Sequence, residues 1–216
     1  MSAATSSVGK SLVTPTPYAV KMAFVDAAFQ MARGAEAPEL VRVLASCEVR
    51  IGLPQRAALT HTIVKLRQEP KKKTPGEPYI SAIAYREFVH FHGRFRWAFD
   101  LARMPDQIAE LLVSLAPFIH YIGKRGSFIQ FQGLCRLLEL DIAFTEPLVP
   151  GKPYNGIGPG HIAVLDDFGP DANIDALNSY TDVPIKRDKQ RRFVHTLVPL
   201  GVANQGPGFT EYIGPN

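Results

Sequence analysis

Residues 79–101 constrain the fold more than any other stretch of the chain. Ala84-Tyr85-Arg86-Glu87-Phe88-Val89-His90-Phe91-His92 alternates loosely between apolar and polar side chains, and Arg94-Phe95-Arg96-Trp97-Ala98-Phe99 resumes the alternation after Gly93. A period of two belongs to strands, whose successive side chains point to opposite faces. The pattern predicts two antiparallel strands turning at Gly93. In the register that buries Phe95, Trp97 and Phe99, the cations Arg94 and Arg96 share the other face. His90 and His92 also share a face. Two such histidines invite a metal ion, but no third ligand stands at a suitable spacing, and a surface or RNA-facing role is the preferred reading.

Around this segment the predicted elements come in runs. Residues 1–13 are small and polar and read as an arm. Thr16 is placed to cap a helix, and Pro17 is preorganised at its first position. Val20, Ala23, Phe24, Ala27 and Met31 recur at helical spacing, so a helix is predicted over 18–33 with Gly34 as its stop. A short helix over 38–47, a strand over 48–53 and a β-branched strand over 59–66 follow. Gln68 to Pro78 is a basic loop rich in proline. Met104-Pro105-Asp106 starts a second clear helix, with Ile108, Leu111, Leu112 and Leu115 on one face and Pro117 ending it. Residues 128–140, with Cys135 and Leu138, read as a buried strand or helix. Residues 147–160 are a long Pro/Gly loop. Short strands follow at 161–165 and 193–200, and Asp166-Asp167 with Phe168-Gly169 reads as a turn. Strands and helices in runs, with little strict alternation, indicate an α+β fold: an antiparallel sheet packed on a few helices, in a single domain spanning 1–216.

Composition narrows the class. Of 216 residues, 46% are hydrophobic and 20% charged, a balance that builds a core instead of a disordered chain. The net charge is only +4, but the cations cluster, as Lys71-Lys72-Lys73 and as Lys186-Arg187-Asp188-Lys189-Gln190-Arg191-Arg192. Basic clusters point to a polyanionic partner, nucleic acid before membrane. The two cysteines, Cys47 and Cys135, have no CxxC partners and read as small buried hydrophobes in a reducing compartment. No apolar run reaches about 18 residues, so no membrane span is predicted. With no signal-peptide layout either, the expected location is cytoplasmic.

The motifs of familiar chemistry are missing. Val8-Gly9-Lys10-Ser11 lacks the glycine that a phosphate-binding loop needs where Ala4 stands. Asp167-Phe168-Gly169 has none of the companion motifs of a kinase. No cofactor is expected. A metal-independent ribonuclease needs only a His or Tyr near a Lys that stabilises phosphate charge, so that activity stays open. What recurs is aromatic residues interleaved with cations: Tyr85/Arg86, Phe91 to Trp97, and Tyr121/Lys124/Arg125/Phe128. Single-stranded RNA is held this way, with bases on rings and phosphates on cations. Gly123-Lys124-Arg125-Gly126-Ser127 adds a tight turn whose amides and cations suit an anion. Tyr121 and Phe128 on its flanks read as core anchors.

Two segments carry a resemblance. Thr14-Pro15-Thr16-Pro17-Tyr18-Ala19-Val20-Lys21-Met22-Ala23 resembles the opening of the first helix in CRISPR-associated RAMP proteins of the Cas-five type. Ile122-Gly123-Lys124-Arg125-Gly126-Ser127-Phe128 resembles a glycine turn in some members of that group. The resemblance implies a ferredoxin-like (RRM-like) antiparallel sheet with packed helices and a projecting β-hairpin thumb, here a basic insertion near 67–78. It implies a non-catalytic RNA-binding subunit of a type I-like Cascade complex, capping the five-prime handle of the CRISPR RNA. Partners would be that RNA, the backbone and large subunits, and target DNA near the PAM. Tyr18 and Lys21 would lie near RNA at the helix start, Lys71, Lys72 and Lys73 at the thumb tip, and Gly123, Lys124, Arg125, Gly126 and Ser127 on the handle backbone. Arg86, His90, His92, Arg94 and Arg96 complete the expected RNA-facing set. Two rivals remain: an endoribonuclease processing precursor RNA, and a basic module whose partner is another protein. The family's strand before the first helix is weakly represented in residues 1–13.

Overall fold

A computed structural model describes residues 8–9, 11–69, 79–124, 126–151, 160–178, 181 and 183–215. Lys71, Lys72, Lys73 and Arg125 lie outside the described residues. The elements run β1 (Val8–Gly9), α1 (Pro17–Gln30), α2 (Ala37–Ser46), β2 (Val49–Gly52), β3 (Arg56–Gln68), β4 (Ile80–His92), β5 (Arg96–Phe99), α3 (Asp106–Leu115), β6 (Glu146–Pro147), β7 (His161–Phe168), α4 (Ile174–Leu177), β8 (Arg191–Val198), β9 (Gly201–Gly206) and β10 (Phe209–Ile213). The class is α+β. Three sheets have the orders β1-β4-β3-β10-β9, β2-β5 and β6-β8-β7, and every pairing is antiparallel except β1 with β4.

Helix α1 begins where its sequence signals place it. The Thr16 hydroxyl accepts the Ala19 amide at 3.2 Å, with Pro17 at the first turn. It ends earlier than the expected Arg33. Ala32 takes a left-handed φ of 56°, and the Arg33 and Ala32 amides return to the Ala28 and Phe29 carbonyls at 2.8 and 3.2 Å. That is the two-bond closure of a Schellman cap, achieved without glycine at its left-handed position. Gly34 is constrained for a different reason, since a Cβ there would lie 2.7 Å from the Phe29 ring and require that ring to shift.

Buried residues occur around most of α1, as expected of a helix enclosed by its neighbours. It packs on β7, α2, α3 and β2. Phe24 meets Trp97 and Phe99 edge-on at 6.1 and 5.2 Å. Leu40 and Leu44 of α2, Ile51 of β2, Leu111 and Leu115 of α3, and Phe168, Val198 and Leu200 complete one contiguous core.

The core also contains a charge. Lys21, expected on the RNA-facing start of α1, is completely buried. Its Nζ lies 2.6 Å from Asp167 Oδ1, close enough for a strong ion pair although off the direction of a well-formed hydrogen bond. Burial pushes the Lys21 pKa down, and the Asp167 carboxylate opposes that shift. Asp167 Oδ2 also accepts Arg192 Nη2 at 2.8 Å, and Asp166 accepts Arg191 Nε at 2.7 Å. The expected turn at Asp166-Asp167 is therefore the buried end of β7. On a strand the two carboxylates diverge, and each finds its own arginine on β8.

Three other expectations change. First, β4 and β5 do not form a hairpin about Gly93. Gly93 takes a φ of 117°, the chain leaves the large sheet there, and β5 pairs with β2, Ile51 opposite Trp97. The hairpin is β3–β4, in unbroken register from Arg56↔His92 to Gln68↔Ile80. Second, residues 129–141 form neither strand nor helix, and Leu134, Cys135, Leu137, Leu138 and Ile142 are exposed. Only Ile129 and Phe131 of this segment pack on the core. Third, the first strand is reduced to Val8–Gly9, on the sheet edge beside Tyr85 and Arg86.

Two measurements follow from this interior. Lys21→Met leaves Asp167 with one cation instead of two, and should cost about 3 kcal/mol of unfolding free energy in urea; an unchanged midpoint would show that the pair contributes nothing. Burial raises the Cys47 thiol to about 11, whereas Cys135 is exposed. Iodoacetamide at pH 8 should therefore label one thiol in the native protein and two in denaturant.

Candidate nucleic-acid interface

The strands β3 and β4 have thirteen residues each, a length of about 40 Å at roughly 3.3 Å per residue. Among the described residues, it is the base of this hairpin that rests on the core, although Ala84 further out is also buried. Ala57 and Leu59 are buried at the base, with Val89 and Phe91 packed beside them. Further out, the same face carries Ile63, Ile83 and Tyr85, all exposed. The hairpin thus projects, with Lys65 and Arg67 exposed along its outer half.

The other face of the base is open. Register places Arg56 opposite His92, Ala58 opposite His90, Thr60 opposite Phe88 and Thr62 opposite Arg86. Directly opposed residues lie on one face of a sheet. Arg56, Phe88, His90 and His92 are exposed and Arg86 is half-buried. Phe88 leaves 49% of its surface in solvent, although a core lies one pleat away. The Thr60 hydroxyl and His90 Nε2 are 3.3 Å apart. Arg56, Ala58, His90 and His92 line a surface depression with Glu211 of β10. Among the described residues no three His, Cys, Asp or Glu side chains are grouped to hold a metal.

The glycine stretch forms a closed turn elsewhere on the chain. Tyr121 and Phe128 make an antiparallel bridge. Inside it the Ile122 amide donates to Ser127 at 3.1 Å and the Ser127 amide to Lys124 at 2.9 Å. Gly123 has φ 68°, which it adopts without strain because it has no Cβ, whereas Gly126 is not in the left-handed region. Tyr121 Oη donates to Asp26 Oδ2 of α1 at 2.9 Å, which ties the turn to the central helix. Phe128 is not the expected anchor. It is 81% exposed, because the bridge turns it away from the side on which Ile129 packs. Lys124, Gly126 and Ser127 are exposed beside it.

The expected site residues therefore divide. Arg86, His90 and His92 share the open sheet face. Gly123, Lys124, Gly126 and Ser127 share the turn. Arg94 is exposed just past Gly93. Arg96 is committed elsewhere: its guanidinium grips Asp141 through two bonds of 2.8 and 3.1 Å and lies over the Phe144 ring at 4.5 Å. That clasp holds the Asp141 carboxyl below its ordinary pKa. Lys21 has no surface with which to meet RNA. Tyr18 is partly buried, edge-on to Phe168 at 5.3 Å and beneath the Arg191 guanidinium at 4.5 Å. Burial raises its pKa. Arg56 and Phe88 were not foreseen as site residues, because their place depends on the β3–β4 register and local alternation does not give it.

No protein-family model and no curated protein matches the chain. No helix among the described residues is long and apolar enough to cross a membrane.

The glycine turn makes its own prediction. Gly123→Ala puts a Cβ on a left-handed backbone and should cost about 1 kcal/mol, while Gly126→Ala should be near neutral. Equal effects in thermal unfolding would overturn the assignment of strain to Gly123.

Proposed function

We propose that this protein is a non-catalytic RNA-binding subunit of a type I-like CRISPR Cascade complex, built on a ferredoxin-like scaffold and holding the five-prime handle of the CRISPR RNA. The open sheet face carries this reading. An exposed phenylalanine set among Arg56, Arg86, His90 and His92 is a combination that holds single-stranded RNA: a ring for a base and cations for the phosphates on either side. The projecting hairpin suits the thumb expected of such a subunit. The glycine turn presents Lys124 and exposed backbone in a form suited to a phosphate. The resemblance of the helix start and of this turn to the Cas-five type supplies the complex and the RNA. Backbone and large subunits, and target DNA near the PAM, are the further partners of this proposal, in the cytoplasm.

One observation favours a second reading. His90, His92 and Arg56 line a single depression, and an imidazole beside a guanidinium is enough for metal-independent cleavage of RNA. Binding to labelled repeat RNA separates the two. The binding subunit retains intact RNA, whereas the nuclease yields fragments in EDTA that disappear in His90→Ala. On the first reading Phe88→Ala removes one stacking platform and weakens binding about tenfold, within the 1–3 kcal/mol of a base–aromatic contact. Unchanged affinity in Phe88→Ala and in Arg56→Glu would remove the sheet face from the interface.

A further inference from the structure

The basic run at the start of β8 differs from an ordinary solvated lysine loop. Its inner cations, Arg191 and Arg192, are committed to the buried carboxylates Asp166 and Asp167. Its outer cations Lys186, Arg187 and Lys189 fall within four consecutive positions, all exposed. Among the described residues, the only carboxylate within ion-pair range of the three is Asp188, 3.9 Å from Arg187. That exposed contact holds little energy.

The backbone beneath them is clamped. The Lys186 amide donates to Gln190 Oε1 at 2.9 Å, and the Gln190 amide returns to the Lys186 carbonyl at 3.1 Å. Asp188 takes φ 63°, and its amide donates to Arg191 at 2.8 Å. The end of β7 holds the turn from below. Gly169 and Asp171 donate to the Gln190 and Lys189 carbonyls at 2.8 and 2.9 Å. A Cβ on Gly169 would fall 2.0 Å from the Lys189 carbonyl oxygen, so the turn sits directly on that glycine. The Arg187 guanidinium lies over the Phe193 ring at 5.0 Å.

We infer that Lys186, Arg187 and Lys189 form a second, preorganised contact for the phosphodiester backbone of a nucleic acid, additional to the sheet face. The inference takes its ligand class from the nucleic-acid reading above. Three cations on a fixed turn lose little backbone entropy on meeting successive phosphates, unlike a flexible lysine run. They read no sequence, because phosphate contacts position a strand and do not specify it.

The strand is either the RNA of the sheet face or a DNA duplex, and the test has an arm for each. The triple variant Lys186→Gln/Arg187→Gln/Lys189→Gln and the wild type are titrated with labelled single-stranded repeat RNA and with duplex DNA across a salt series. These side chains are exposed, so the unfolding midpoint should not move, which confirms an intact fold. If the turn holds RNA, the slope of log affinity against log salt becomes shallower by about 2, at roughly 0.7 per phosphate on a single strand. If it holds DNA, the slope with the duplex becomes shallower by about 3, at roughly 0.9 per phosphate, and RNA binding is unchanged. Equal slopes for both nucleic acids in variant and wild type overturn the inference and leave the sheet face untouched. RNA binding that depends on this turn but is indifferent to Phe88→Ala and Arg56→Glu overturns the sheet-face site instead. A wild type that binds neither nucleic acid sinks both.

Discussion

An ammonium group without exposed surface needs an anion beside it, and in this protein that requirement fixes how helix α1 sits on the rest of the chain. Lys21 is buried with its ammonium over the Phe168 ring, and the Asp167 carboxylate beside it offsets the cost of its burial. Apolar contacts along α1 would tolerate some sliding, since one buried methyl resembles another. The ion pair would not, because a shift by one turn strands the Lys21 charge in the core and leaves Asp167 with Arg192 alone. Asp167 is held in turn by Arg192, and its neighbour Asp166 by Arg191, so the same pair couples α1 to the end of β7 and to the start of β8. The basic turn at 186–190 inherits its position from that coupling.

The cations of this chain are accordingly of two kinds. Lys21, Arg191, Arg192 and Arg96 are structural and each has a carboxylate partner. Arg56, Lys65, Arg67, Lys124, Lys186 and Lys189 are exposed. The net charge of +4 does not say where the positive field lies, because pairing removes cations together with anions and leaves the field to exposed cations clustered in sequence or on one face. This sorting is what makes a polyanionic partner physically reasonable, and it cannot be obtained by counting residues.

Local signals were the legible part of the sequence. Thr16 and Pro17 mark the start of α1 because a cap involves residues three apart, and the period-two pattern marks β4 and β5 because a pleat is local. Pairing was legible only in part: the expected hairpin thumb near 67–78 falls between the paired strands β3 and β4, but the partner of β5 was not readable. Gly93 suggested a hairpin between neighbours, whereas the ladder of β4 runs against β3 across a long connection. Asp166 and Asp167 read as a turn because adjacent carboxylates point apart on a strand and so make no metal pair, and the cations that neutralise them come from α1 and β8. Lys21 sits among apolar positions and its periodicity alone could not say whether its head reached water. The leucines of 134–140 failed in the opposite direction: hydrophobicity states which groups gain by burial, not whether the fold supplies a place for them.

That last segment bears on how the molecule behaves once it leaves the ribosome. Phe128, Leu134, Leu137, Leu138 and Ile142 stand in water within fifteen residues of one another, with Leu138 wholly uncovered, and their backbone joins no sheet or helix. Soluble monomers seldom leave so much apolar side chain uncovered in one place. The purified chain should accordingly self-associate at concentrations where its net charge alone would keep it dispersed.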